Sequence, residues 1–280
     1  MDFLLPIFAA ILQAGSFTID KIALSIRRVN FKTYTGVSFP LIFLISLIIF
    51  CVAHPPLSLN LLQDSWWLLL ISIGIVIGTN LIFYRALQND TLGEIQTFDL
   101  LYNIPAIILS SIIFIDERNY FVIVPALIAS GAVIWSHWEH HHFKIAKYTI
   151  PFIIWILLIS PFNSIISKTL LLTWSPISLE LVRSGVVALI LGSLFFKHIK
   201  RIPQKGLLLL LVTNILTTIA GILFSFSYQR QGIVYTLLIF SIQPLLVYLA
   251  SVFILKEPLH IKKTIAFVVV LASIAFAQFI

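Results

Sequence analysis

Hydrophobic and polar positions along the chain fall into ten long apolar stretches separated by short polar breaks. Their approximate bounds are Phe3–Ile19, Thr35–Ala53, Trp66–Leu87, Gly93–Ile115, Tyr120–Trp138, Thr149–Ser167, Ser178–Phe196, Gly206–Tyr228, Ile233–Leu255 and Thr264–Ile280. A bilayer core of about 30 Å needs roughly 20 apolar residues per helix. Each stretch has about that length and is continuously apolar, whereas a barrel strand would alternate over about 10 residues. The pattern predicts an all-α integral membrane protein with ten transmembrane helices. Its short connections leave no room for a soluble domain. The N-terminal Met1-Asp2-Phe3 has no basic leader, so no cleavable signal is expected.

Composition agrees. Of 280 residues, 60% are hydrophobic and 10% charged, against about 45–50% and about 25% in soluble domains. Mean hydropathy is +1.06. The pI near 9.6 does not indicate nucleic-acid binding, because the basic residues sit between apolar stretches. The single cysteine, Cys51, excludes a disulfide framework and is expected in the core or against lipid. Trp66, Trp67, Trp135, Trp138 and Trp174 fall near predicted helix ends, where aromatic rings meet headgroups. Gly74-x-x-x-Gly78 predicts close helix packing, within the chain or in a dimer.

Charge sets an orientation. Fourteen of the 18 Lys and Arg follow odd-numbered stretches, three lie on the opposite side, and Arg183 is inside a span. The positive-inside rule then places both termini outside the cytoplasm. The expected location is the cell (inner or plasma) membrane, crossed many times.

The chain also repeats. Tyr84-Arg85-Ala86-Leu87 is followed by Pro105 and Glu117, and Ser225-Phe226-Ser227-Tyr228 by Pro244 and Glu257. Phe17-Thr18-Ile19-Asp20-Lys21 pairs with Ser164-Ile165-Ile166-Ser167-Lys168. The organisation is therefore a five-helix repeat over residues 1–137, a His-rich linker at 138–148, and a second five-helix repeat over 149–280. Five is odd, so the second copy is inverted, an arrangement typical of transporters. A repeat unit with a short break, a helix with proline, a terminal Glu and a closing apolar helix resembles an EamA domain. Two in tandem are similar to the ten-helix members of the drug/metabolite transporter superfamily. That resemblance implies a basket of helices around a central cavity and a carrier of small metabolites, often an exporter of amino acids. Three features depart from it. Tyr-x-Ala-Leu is present at Tyr84 and Leu87 but degraded in the second copy. Such proteins often carry an Arg early in the second helix of each repeat. Arg183 fits, but the stretch near Gly36 has none. Their usual topology also places both termini in the cytoplasm.

Polar groups in hydrocarbon are expensive and face a cavity or the bundle interior. The expected substrate-binding residues are Asp99, Gln96, Tyr102, Asn103, Gln13, Asn80, Tyr84, Trp155, Asn163, Asn214, Tyr235 and Gln243. Asp99 is the most informative: a carboxyl inside a span suits proton coupling or pairing with a cationic substrate, or is held structurally by Asn103. Asp20, Lys21, Lys168, Glu180 and Arg183 are the gating or charge candidates. The two lysines snorkel in the alternative reading, and Glu180 and Arg183 neutralise each other. Pro105 and Pro244 read as mid-helix hinges or kinks that free the carbonyls of Leu101 and Phe240.

No catalytic residue is expected. His-Glu-x-x-His, Gly-x-Ser-x-Gly and phosphate-cradling glycine loops are absent. His137-Trp138-Glu139-His140-His141-His142 has metal-ligand composition, but its place in a linker makes it an exposed polar run, so neither metal nor cofactor is expected. The function expected is a secondary active exporter of a small metabolite such as an amino acid or amine, by alternating access, with or without proton coupling. The alternatives are a multidrug or organic-cation efflux carrier and a non-transporting membrane helper. Expected partners are a small-molecule substrate, protons in the coupled case and the lipid bilayer, with no nucleic acid. The chain is expected as a monomer, with a dimer as the alternative.

Overall fold

The computed structural model describes residues 3–57, 59–90, 92, 95, 99–136, 149–199, 202–255 and 261–278. Among these all regular structure is helical. The helices are α1 (Leu4–Ser25), α2 (Phe31–Ala53), α3 (Leu59–Asn89), α4 (Asn103–Ile113), α5 (Tyr120–Ser136), α6 (Ile150–Leu158), α7 (Ser160–Leu171), α8 (Pro176–Leu194), α9 (Gln204–Gln231), α10 (Ile233–Phe240), α11 (Gln243–Leu255) and α12 (Ile261–Gln278). A single helical turn at Phe196–Ile199 follows α8, and short 3-10 turns at Leu100–Tyr102 and Ile115–Glu117 flank α4.

Among the described residues, six segments are long and apolar enough to cross a bilayer: α1, α2, Asp64–Asn89 of α3, α8, α9 and Ile233–Ala250. The pair α6–α7, bent by 41° at Ile159, makes a seventh. Asn103–Ile113, Tyr120–Ser136 and Thr264–Ala277 are shorter apolar helices in the fourth, fifth and tenth stretches. The molecule is an all-α membrane protein.

Capping fixes several starts. The Asn30 side chain accepts from the N–H groups of Lys32 and Thr33. Ser175 accepts from Ser178 N–H just ahead of Pro176, where proline loses nothing because its N–H would be an orphan. The Arg118 guanidinium donates to the carbonyls of Ser111 and Ile112, closing α4.

Both prolines lie beside local irregularities of the helix. Pro105 is the third residue of α4 and Pro244 the second of α11. Each lies in the first turn of a new helical segment, behind a 3-10 turn or the break at Ser241–Ile242. The backbone stays helical at Tyr102 and Ser241 ahead of them, so each proline sits just past a locally distorted turn in a helical run, as a kink requires.

The layers interlock between the two halves of the sequence. α1 packs on α9, α2 on α8 and α5 on α12. α3 meets α6 and α7, while α1 also touches α10 and α11. Gly78 faces the Trp155 ring so closely that a Cβ there would overlap it, while Gly74 has open space. The Trp155 indole donates to Thr79 Oγ1 at 2.8 Å. Gly78 thus serves a contact between helices of one chain. Trp66, Trp67 and Trp135 are exposed, as is Cys51. Trp174, expected at the headgroups, is instead wholly buried, with its indole donating to Ser65 Oγ at 2.9 Å. Its hydrogen bond satisfies the polar end of the ring, which permits the burial.

Candidate functional site

The densest polar cluster surrounds Asp20, whose side chain is wholly buried in α1. Tyr34 of α2 donates to Oδ1 at 2.5 Å, and Tyr84 of α3 donates to Oδ2 at 3.5 Å. Thr213 Oγ1 of α9 also lies 2.5 Å from Oδ1. The same hydroxyl is 2.8 Å from Ser16 Oγ and 3.1 Å from the Ser16 carbonyl. Thr217 Oγ1 is 2.5 Å from Ser16 Oγ. The Tyr34 and Tyr84 rings stack with centroids 4.2 Å apart. Helices from both halves therefore meet at one carboxyl. Asp20 and Tyr84 were legible as polar positions inside apolar runs. Tyr34 and Thr213 were missed, because each sits among other hydroxyl residues without a distinguishing local signal.

Both candidate lysines are held by protein partners. Lys21 donates to the carbonyls of Leu87 at 2.7 Å and Asp90 at 2.5 Å, closing the end of α3. Lys168 is buried and bonds Asp116 at 2.7 Å and Glu117 at 2.6 Å. Its ammonium also lies 4.5 Å from the Phe114 ring centroid. Glu117 accepts in turn from the backbone N–H of Ile233 at 2.6 Å and of Val234 at 2.9 Å. A carboxylate at a helix N-terminus meets orphan donors and the positive end of the dipole. Gly232 precedes them with φ +87°, and a Cβ there would stand 2.6 Å from Glu117 Oε1. The exposed Asp116 carboxyl is held below its ordinary value by the hydrogen bond from Lys168.

A second cluster forms beside α4. Tyr102 and Tyr228 interact through their hydroxyls, and Asp99 is within electrostatic reach of Tyr102. Tyr228 donates to Ser164 Oγ at 3.3 Å. Asn103 is 1% exposed, and neither of its amide atoms has a hydrogen-bond partner among the described residues. Asn103 therefore does not hold Asp99. Phe224 lies 4.5 Å from the Tyr228 ring, centroid to centroid.

The other expected residues scatter. Asn80 and Asn214 donate to carbonyls of their own helices, Val76 and Leu210. Asn163 accepts from Ser72 at 3.0 Å. Gln13 and Tyr235 are half-buried and Gln243 is buried. Trp155 packs on Gly78 as described. Glu180 and Arg183 attract each other electrostatically, as expected for neutralising charges, without forming a close ion pair among the described residues. The guanidinium also donates to Ser167 Oγ of α7 at 3.3 Å. Gln96, the His137–His142 run and Glu257 lie outside the described residues. An apolar groove of about 560 Å³ between α2 and α8, lined by Pro40, Phe43 and Gly185 among others, offers no polar chemistry.

Comparison with known proteins adds a family. A crystal structure superposes with a TM-score of 0.75 at 15% identity, covering 99% of this chain and 97% of the other. That likeness establishes the fold. No curated protein sequence matches the chain. The model of the EamA-like transporter family matches residues 147–278, the second half. Over that second half the chain is similar to EamA-like transporters, a resemblance in line with its helical membrane fold.

Proposed function

We propose that this membrane transporter is a secondary carrier exporting a small amine or amino acid by alternating access. Its two halves, residues 1–137 and 149–280, form inverted five-helix repeats joined by the linker at 138–148. The cross-packing of α1 on α9 and of α3 on α6–α7 supports the reading. First and third helices exchange partners reciprocally, as an inverted repeat requires.

One observation carries the substrate site: Asn103 is buried with donor and acceptor both unpartnered among the described residues. Such groups are rare and each costs about 1–3 kcal/mol. A bound ligand with a donor and an acceptor would satisfy them, while Asp99 receives its ammonium. Tyr102 and Tyr228 complete the lining. The Phe224–Tyr228 aromatic pair favours organic cations as a second reading. The outward direction follows the resemblance to exporters, and proton coupling suits the buried acids. The charge bias places both termini outside the cytoplasm; a C-terminal reporter active only in the cytoplasm would overturn that by being active.

A thermal-shift screen of purified protein with amino acids, polyamines and organic cations tests the site. A stabilising ligand is expected whose shift is lost in Asn103→Ala and Asp99→Asn. A ligand that stabilises both variants as well as the parent places the site elsewhere.

A further inference from the structure

Asp20 is a wholly buried carboxyl in the membrane-spanning α1, with no cation beside it among the described residues. The neighbouring Lys21 ammonium is committed to the carbonyls of Leu87 and Asp90. The groups facing Asp20 are Tyr34 from α2, Tyr84 from α3 and Thr213 from α9. The charged residues of α9, Lys205 and Arg230, stand at its ends. α10 and α11, which also pack on α1, contain no Asp, Glu, Lys, Arg or His.

The hydroxyls around it can be counted. Each hydroxyl has one proton to donate. Four close approaches involve Ser16, Thr213 and Thr217: Thr213 to the Ser16 carbonyl, Thr213 to Asp20, Ser16 to Thr213, and Ser16 to Thr217. Three hydroxyl protons cannot fill four contacts. The count closes when the fourth comes from the Asp20 carboxyl, donated to Thr213, while Thr213 donates to the Ser16 carbonyl. When the carboxyl is ionised, Thr213 turns its proton to Asp20, and the Ser16 carbonyl keeps its place as a helix acceptor. Both forms of the acid therefore find partners without any side chain moving, and the switch is the direction of one hydroxyl.

We propose that Asp20 is the proton-binding site of the carrier, separate from the Asp99–Asn103 substrate site, and that Thr213 reports its protonation across the interface between the two halves. The inference rests on the transporter reading above. The proton enters as the acid binds it and leaves as the acid ionises, with no other bond changed. An ionised, cation-free carboxylate is unstable in this dry setting. Release therefore favours an opening that admits water at the α1–α9 seam, and loading favours the closed seam observed here.

Two measurements test this. Infrared spectroscopy of the full-length protein in lipid is expected to show the carbonyl stretch of a protonated acid that titrates with pH. The band should be absent in Asp20→Asn and retained in Asp99→Asn. Thr213→Val is expected to move its midpoint by about one pH unit. A spectrum without an Asp20-dependent band, or a midpoint unmoved by Thr213→Val, overturns the assignment whether or not a substrate is known. In proteoliposomes carrying an internal pH dye, with the ligand from the thermal-shift screen, Asp20→Asn is expected to retain substrate counterflow but move no protons. Proton movement equal to the parent overturns the assignment. Loss of counterflow in the parent itself, with the band present, overturns the carrier reading and leaves the proton site standing.

Discussion

Replacing Glu117 by Ala removes three interactions at once: two backbone caps on α10 and the charge facing Lys168. The Ile233 and Val234 backbone lies beneath buried side chains, so water does not readily replace the caps. An orphaned buried donor costs about 1–3 kcal/mol, and breaking one partner of a buried ion pair costs about 3–5 kcal/mol. These overlap, because Lys168 keeps Asp116, so about 4 kcal/mol in total is expected. At about 2 °C per kcal/mol for a chain of this size, Tm falls by about 8 °C in a detergent melting assay. Lys168→Met in the parent should cost about 2–3 kcal/mol, because Glu117 keeps its helix caps. In the Glu117→Ala background Lys168→Met should cost less, by a coupling of about 1–3 kcal/mol. A Glu117→Ala Tm within about 2 °C of the parent, or a strictly additive cycle, refutes the buried-anchor reasoning.

Gly232→Ala should destabilise by about 2 kcal/mol or more, read by the same melting assay, since it combines a positive φ with a Cβ driven into Glu117. Gly78→Ala should lower Tm in the parent but not in a Trp155→Ala background, because the Trp155 ring is the obstacle; equal losses in both would contradict this. Asp116 is held low by Lys168 in the folded protein. Its contribution is therefore present above the ordinary aspartate value and is lost as pH falls through the lowered one. Asp116→Asn should narrow the stability difference between neutral and strongly acid pH in parallel melts.

The apolar stretches were legible because a bilayer demands length and continuity, and helix dominates every stretch described. Interruptions within stretches were not. Pro105 and Pro244 marked where a helix is distorted, but the 3-10 turn at Leu100–Tyr102 and the irregular turn at Ser241–Ile242 carry no signal of their own among apolar neighbours. Lys168 beside a helix end was legible as a charge candidate. Its partners were not, for Asp116 and Glu117 lie 52 and 51 residues away and depend on packing of the two halves. Asp99, Tyr102 and Asn103 were readable together because a short run holds them. Asp20 was picked as a gating charge, but its partner Thr213 is 193 residues distant. No local pattern announces such a pair. Trp174 misled for a related reason: its position near a stretch end matched an interfacial ring, while Ser65 supplied the hydrogen bond that lets it bury.

The most direct test of the account is counterflow in proteoliposomes, using a ligand identified by thermal shift. Unlabelled ligand inside should drive transient accumulation of labelled ligand above its equilibrium level, and Asp99→Asn should abolish the overshoot. Simple equilibration without overshoot in the parent, or no movement at all, would contradict a carrier that works by alternating access.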